Sequence, residues 1–251
     1  MDVKEYIGKE KYTFDDLCGI MTVLRSENGC PWDRAQTHTS IRKNLIEETY
    51  EVCEAIDTDD TALMREELGD LLMQVMLHSE IAKEEKRFDI DDVIDEVSRK
   101  LVVRHPHVFA DVDADTPEKA LLSWEAVKTL TKKDKRKSSL DGIPPSLPAL
   151  MRASKLINKA KKAGMTYDAS AVSEKIASDA ASLASAYDSD TASKLLLDIV
   201  SLMQNNEDDA EECLTKRINE LENKLRIKEN DKKTIDANYD GILDVEKPKK
   251  H

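Results

Sequence analysis

Acidic side chains interrupt the apolar faces of two successive segments with helical periodicity, and this pattern restricts how the chain can fold. In the second segment, apolar residues recur at helical spacing and form an arc made of Leu63, Met64, Leu68, Leu71, Val75 and Ile81. Glu67 projects between Leu63 and Leu71, inside this arc, and Asp70 lies at its border. A buried carboxylate is costly unless it is paired with a cation or bound to a metal. We therefore expect Glu67 to face a compensating positive charge.

The first segment places its acids beside a second apolar stripe, which is made of Ile41, Leu45, Val52, Cys53 and Ile56. Glu48 falls at the edge of this stripe, with Glu51 and Glu47 further round the helix. Residues three apart share a helix face, so Glu48 and Glu51 form one pair. The two acids of the second segment are also three apart. Two antiparallel helices joined near residues 58–61 would bring the two pairs together.

The resulting group of acids contains no histidine or cysteine; its members are Glu47, Glu48, Glu51, Glu67 and Asp70. Oxygen-only ligand sets suit Mg²⁺, with Mn²⁺ as a second possibility, and such ions usually act on phosphates. The pattern therefore predicts a metal-dependent reaction of a phosphate ester or anhydride. A buried salt bridge from Glu67 to Arg42 or Arg104 is the competing explanation.

Other metal chemistry is less compatible with the sequence. A di-iron carboxylate bundle requires Glu-x-x-His on two helices. Here the residues three positions after Glu51 and Glu67 are Glu54 and Asp70, and neither is histidine. The four cysteines show no CxxC spacing, which argues against a zinc site and a disulfide framework.

Composition favours an all-α protein with modest cores, since 35% of residues are charged and only seven are glycine. The net charge of −13 argues against a nucleic-acid partner. The start of the chain is charged rather than signal-like, and no apolar run approaches the roughly 20 residues of a membrane span. We therefore expect a cytoplasmic protein with no membrane association.

Helical patterns divide the chain into two halves. In the first they cover 13–26, about 40–57 with Thr39 or Ser40 as N-cap, about 60–86, a segment ending near Arg104, and one opening at Pro117. In the second they cover 148–163, 170–187, 190–205 and 207–228. We predict a catalytic domain at 1–132, a basic and proline-containing linker at 133–147, a second helical domain at 148–228 and a charged tail at 229–251.

Four ordered motifs give the chain a family resemblance. The acidic spacing is EExxE, fifteen residues, then ExxD. Before the first acidic helix come NGCPWD (28–33) and QTH (36–38). The second acidic helix contains ELGDLL (67–72), and it is followed by RHPHVF (104–109) and WEAVK (124–128). Together they resemble the MazG-type nucleoside triphosphate pyrophosphohydrolases, which are all-α enzymes. The similarity extends over about residues 13–130.

The resemblance implies hydrolysis of a nucleoside triphosphate to the monophosphate and pyrophosphate, in nucleotide-pool housecleaning, by a homodimer. It assigns the five carboxylates to Mg²⁺, and Arg104 and Lys128 to phosphate. The family often has two arginines before His-Pro-His, whereas Val103 precedes Arg104 here, so Lys100 is a candidate for the missing cation. A catalytically weak nucleotide sensor or scaffold is the alternative function.

Several aromatic residues have two interpretations. Trp32 and His38, in the loop before the first acidic helix, are candidates for substrate binding. Trp32 would stack on a base, or it would close the helix start as a hydrophobic plug. His105 and His107 would contact phosphate or would be structural residues around Pro106.

The second half contains a faint repeat of the acidic motifs, and MazG proteins often carry two copies. Ser178, Asp179 and Ser182 occupy the EExxE positions, Leu195 replaces the next glutamate, and only Asp198 matches. Two acids do not readily hold a Mg²⁺ cluster. We therefore predict tandem MazG-like bundles of which the second is degenerate and serves packing or dimerisation.

Overall fold

The computed structural model describes residues 3–110, 112, 114–132, 138, 140–165 and 168–230, and all regular structure in these ranges is helical. The predicted all-α class is thus confirmed. The chain divides into two compact units, Met1–Thr131 and Lys132–His251. Residues 133–137 and 139 of the predicted linker, and nearly all of the predicted tail (231–251), lie outside the described residues.

The described residues of the first unit form a 3-10 turn, Val3–Tyr6, followed by seven α-helices. These are α1 (Phe14–Arg25), α2 (Pro31–Ala35), α3 (Arg42–Asp57), α4 (Thr61–Glu84), α5 (Ile90–Arg104), α6 (Pro106–Phe109) and α7 (Pro117–Lys132). The second unit contains α8 (Ala149–Lys162), α9 (Ala169–Ser185), α10 (Ser189–Asn205) and α11 (Ala210–Asn230). Across the described helices, none combines the length and the apolar character that crossing a bilayer requires.

Most helix starts are set by local side-chain caps. Thr13 caps α1 and Asp89 caps α5, each in a capping box, and Asp60 accepts bonds from the first amides of α4. The prediction that Thr39 or Ser40 caps α3 is wrong, because that helix begins at Arg42 after an N-cap without a side-chain bond. The Ser40 hydroxyl instead accepts a hydrogen bond from the Thr37 amide at 2.9 Å and stabilises the preceding turn.

In the first unit, α4 packs against α1, α3 and α5. The buried cluster consists of Met21, Ile41, Met76, Leu77 and Ile81, so α4 contributes to it only from residue 76 onward. The two predicted apolar faces are therefore only partly correct. Leu68 is 50% exposed and Ile56 58% exposed, and Val75 and Cys53 are also exposed. The cluster is formed by α1, by Ile41 at the start of α3 and by the C-terminal part of α4, and none of these four exposed residues belongs to it.

Arg25 fastens the segment between α1 and α3 to the end of α4. Its guanidinium donates two hydrogen bonds of 2.7 Å to the carboxylate of Glu84. It also donates to the backbone carbonyls of Asp33 and Gln36. The guanidinium side chain is only 5% exposed. The segment that carries Trp32, in α2, and His38, which follows α2, is thus held at two points by one arginine.

In the second unit, α10 packs against α8, α9 and α11 around Ile157, Val200 and Ala210. An ion pair joins Lys175 of α9 to Asp198 of α10, and the same ammonium lies 3.3 Å from the Asp179 carboxylate. Asp198 is the tenth residue of α10, as Asp70 is of α4. Lys175 lies ten residues before the last residue of α9, and Glu48 lies nine residues before the last residue of α3. The two side chains therefore have nearly the same position in their helices. A lysine therefore stands beside the aspartate that corresponds to Asp70.

Candidate metal centre

The three-residue connection between α3 and α4 folds the two helices into a hairpin. Its turn contains Asp59 with a φ of +54°, a left-handed conformation that aspartate tolerates better than most residues. The hairpin brings Glu48 of α3 together with Glu67 and Asp70 of α4. One carboxylate oxygen from each lies within 4.8 Å of the other two. All three side chains are half-buried.

The electrostatics of this three-carboxylate cluster are those of crowded like charges. Burial raises the pKa of Glu48, and the charges of Asp70 and Glu51 raise it further. Burial likewise raises the pKa of Glu67, followed by the charges of Glu51 and Asp70. Within the described part of the chain, none of these four carboxylates takes part in an ion pair. The competing salt bridge from Glu67 to Arg42 or Arg104 is therefore not formed.

The spacing of the cluster fits a small divalent cation. Octahedral Mg²⁺ binds oxygen at about 2.1 Å, which places neighbouring and opposite ligand oxygens roughly 3 and 4.2 Å apart. The 4.8 Å limit of the cluster is close to this range, so small side-chain adjustments would let all three acids bind one ion. Hard oxygen ligands without nitrogen or sulfur favour Mg²⁺ or Mn²⁺ over zinc or copper.

The two other predicted acids occupy different environments. Glu51 is half-buried and interacts with Glu48 closely enough to raise its pKa. Glu47 is exposed and lies outside the three-carboxylate cluster. The assignment of Glu51 and Glu47 as ligands stays a prediction, and Glu51 is the better placed of the two.

Gln74 adjoins the cluster, although the sequence motifs did not single it out. It is 4% exposed, and its Nε2 donates to Glu48 Oε1 at 3.4 Å. Its Oε1 is buried and has no partner among the described residues. The available sequence signal was its spacing: Gln74 follows Asp70 by four residues and Glu67 by seven, so all three share one face of α4.

The predicted phosphate-binding cations meet on an aromatic ring. The guanidinium carbon of Arg104 lies 5.4 Å from the ring centroid of Trp124, and Lys128 Nζ lies 4.2 Å from the same centroid. Such cation–π contacts hold the two positive groups beside one another. Trp124, which sequence reasoning placed in a motif but not in the site, is the residue that organises them. Lys100 is exposed on α5.

Trp32 and His38 have different surroundings despite their proximity in sequence. The Trp32 side chain is 60% exposed, so it is not a buried plug within this unit. His38 stacks on His78 of α4 with ring centroids 5.1 Å apart, and their Nδ1 atoms are 2.8 Å apart. Burial and the charge of His38 lower the pKa of His78. His38 is thus engaged in joining its loop to α4.

The histidines around Pro106 are placed by the end of α5. His105 Nδ1 lies 2.6 Å from the carbonyl oxygen of Leu101, one helical turn earlier. The rings of His105 and His107 are in a tilted contact with centroids 5.6 Å apart. These contacts favour the structural interpretation of His105.

Comparison with known proteins agrees with this geometry. The profile of the MazG nucleotide pyrophosphohydrolase domain matches residues 36–109. The nucleoside triphosphate pyrophosphohydrolase/pyrophosphatase MazG of Thermotoga maritima is 41% identical over 208 residues, which cover 81% of this chain and 80% of that protein. The chain belongs to the MazG family. The matched domain contains the whole α3–α4 hairpin and Arg104, but neither Trp124 nor Lys128.

Two further relatives are longer than the region they share with this chain. The nucleoside triphosphate pyrophosphohydrolase of Escherichia coli K12 is 48% identical over 155 residues, covering 61% of this chain and 59% of that protein. The protein YabN of Bacillus subtilis is 49% identical over 145 residues, covering 58% of this chain and 30% of that protein. The activities of these longer proteins are therefore carried over only as a proposal.

Proposed function

We propose that this protein hydrolyses nucleoside triphosphates between the α and β phosphates, with Mg²⁺ as cofactor. The observation that carries the proposal is the cluster of Glu48, Glu67 and Asp70, whose charges have no cationic partner in the described chain. The α3–α4 hairpin that forms it lies within the part of the chain matching the family domain. Two of the relatives are named as nucleoside triphosphate pyrophosphohydrolases, which supports the same reaction here.

The residues of the first unit have complementary roles in this proposal. A triphosphate reaction depends on neutralising charge and aligning the reacting atoms. Glu48, Glu67 and Asp70 would hold the cation, with Glu51 as the next candidate ligand. When bound, Mg²⁺ would neutralise phosphate oxygens and lower the pKa of a bound water. Glu47, exposed beside the cluster, is the candidate for orienting that water.

The cationic residues and Trp32 would act on the substrate itself. Arg104 and Lys128, held together on Trp124, would attract the phosphates and stabilise the departing pyrophosphate. The exposed ring of Trp32 is free to stack on a nucleobase.

The products provide the direct test. Incubated with a nucleoside triphosphate and Mg²⁺, the protein should release the monophosphate and pyrophosphate, and chelation by EDTA should stop the reaction. Orthophosphate should therefore appear in a colorimetric assay only after inorganic pyrophosphatase is added. Release of orthophosphate together with the nucleoside diphosphate would contradict the proposal.

We also propose a homodimer, because apolar side chains of α5 and α7 are exposed. On α5 these include Val97 and Leu101, which are 43% and 51% exposed, and on α7 Leu121 and Leu122, at 60% and 71%. Exposed apolar area on this scale is typical of an interaction surface. A second copy of the chain would cover it.

The dimer is testable in solution. Light scattering coupled to gel filtration should give about twice the chain mass at micromolar concentration. Leu122→Glu should shift the protein towards the monomer, because it would place a charge in the interface. Glu118→Gln, an exposed change one turn earlier on α7, should leave the mass unchanged. A fully active monomer would contradict this part of the proposal.

A further inference from the structure

Gln74 is a buried polar residue at a place where an apolar side chain would pack at lower cost. Its neighbours along α4 in the buried cluster are Met76 and Leu77. Burying an amide without full hydrogen bonding costs free energy, about 1–3 kcal/mol for a polar group left unsatisfied. Only one long hydrogen bond, to Glu48, offsets this cost in the described chain. A function is needed to explain why the amide is there.

The position of Gln74 points to that function. Glu67, Asp70 and Gln74 follow one another along the same face of α4, towards α3. Two of them contribute oxygens to the three-carboxylate cluster, and the third contacts Glu48, the member that α3 contributes. Through Gln74, α4 therefore also contacts Glu48, the member of the cluster that belongs to α3.

We propose that Gln74 is a positioning residue, which orients the Glu48 carboxylate for the divalent cation; this rests on the proposed function. By donating to Oε1, the amide restrains the orientation of the Glu48 carboxylate beside Glu67 and Asp70. A neutral donor suits this task, because a lysine or arginine would neutralise the carboxylate and compete with the metal. Groups that orient metal ligands in this way commonly affect affinity as well as activity.

The test compares metal affinity with stability. Gln74→Met keeps the length of the side chain and removes its polar group. Titration calorimetry with Mg²⁺ or Mn²⁺ should show affinity falling about 10- to 100-fold. The melting temperature of the metal-free protein should stay the same or rise, because an unsatisfied amide has been removed. A residue with a purely structural role would lower the melting temperature and leave the affinity of the folded protein unchanged.

Two further variants make the outcome decisive. Gln74→Asn stays polar but is too short to reach Glu48, so it should also lose affinity. Ser79→Ala is the control, since Ser79 is buried on α4 and its hydroxyl donates, among the described residues, to the Val75 carbonyl alone; its affinity should match wild type. A folded Gln74→Met protein within twofold of the wild-type affinity would overturn the proposal. If the wild type itself binds no divalent cation, the proposed Mg²⁺ function fails as well, so the two failures are distinguishable.

Discussion

Glu67→Gln should abolish turnover while leaving the metal-free protein at least as stable as wild type. Groups that merely support metal ligands commonly contribute 10- to 100-fold to affinity or activity, so loss of a ligand should cost more than about 100-fold. The substitution keeps the shape of the side chain and removes one of the crowded charges of the cluster. Turnover with saturating Mg²⁺ and thermal melts with and without the ion are the two measurements.

The stability part of this prediction follows from the direction of the pKa shifts. Burial and the neighbouring acids raise the pKa of Glu67 and of Glu48 in the folded, metal-free protein. The folded state then binds protons more tightly than the unfolded state, so ionising these groups opposes folding. Stability of the metal-free protein should accordingly fall as pH rises through the range where the carboxylates ionise. Glu67→Gln should reduce that fall.

The added-metal melts distinguish a ligand from a salt-bridge partner. Mg²⁺ stabilises only by binding the folded state, so the rise in melting temperature on adding it should shrink in Glu67→Gln. Glu66→Gln is the matched control, because it removes the same charge from the neighbouring, exposed residue of α4; it should keep both turnover and the Mg²⁺ response. A Glu67→Gln protein that is destabilised but retains its Mg²⁺ response would refute the metal role.

Arg104→Met should lower kcat/KM by roughly 100-fold or more, because charge stabilisation is the main demand of phosphoryl chemistry and a single positioned arginine can contribute 10³–10⁵. Methionine keeps much of the length and loses the charge. The control is Arg99→Met on the same helix, where the arginine is 77% exposed and paired with Asp95. Arg99→Met should behave as wild type.

Steady-state kinetics and metal titration separate the possible causes of an Arg104 defect. If Arg104 meets the phosphates, Arg104→Met should leave the affinity of the substrate-free protein for Mg²⁺ unchanged. Equal losses in the Arg99 and Arg104 variants would indicate a general effect of positive charge on attracting the substrate. That outcome would remove Arg104 from the site.

The sequence predicted the features that depend on neighbours along the chain. The helix that begins near residue 60 is an example, since its cap Asp60 and the amides that donate to it lie within three residues of each other. The closeness of Glu48, Glu67 and Asp70 was also predictable, because a short connection forces two amphipathic helices into a hairpin. In each case local geometry leaves few alternatives.

The features that were missed depend on contacts between distant elements. Trp124 unites Arg104 with Lys128 only because α7 approaches the end of α5, and no periodicity within α7 indicates this. His38 finds His78 forty positions later in the chain. The error at Ser40 has a different origin, because two local structures compete for its hydroxyl, which bonds within the turn at residues 36–40 in preference to capping α3.

The hairpin of the second unit has a property that follows from Lys175. The ammonium that contacts Asp179 and Asp198 is part of the polypeptide, so it is present in every molecule and at every concentration of dissolved salts. The acids of the first hairpin are near no such built-in charge in the described chain and must obtain their counter-charge from solution. If the first hairpin binds a divalent cation as proposed, depletion of such ions would leave its acids without a counter-charge, whereas the ion pair between α9 and α10 would stay intact.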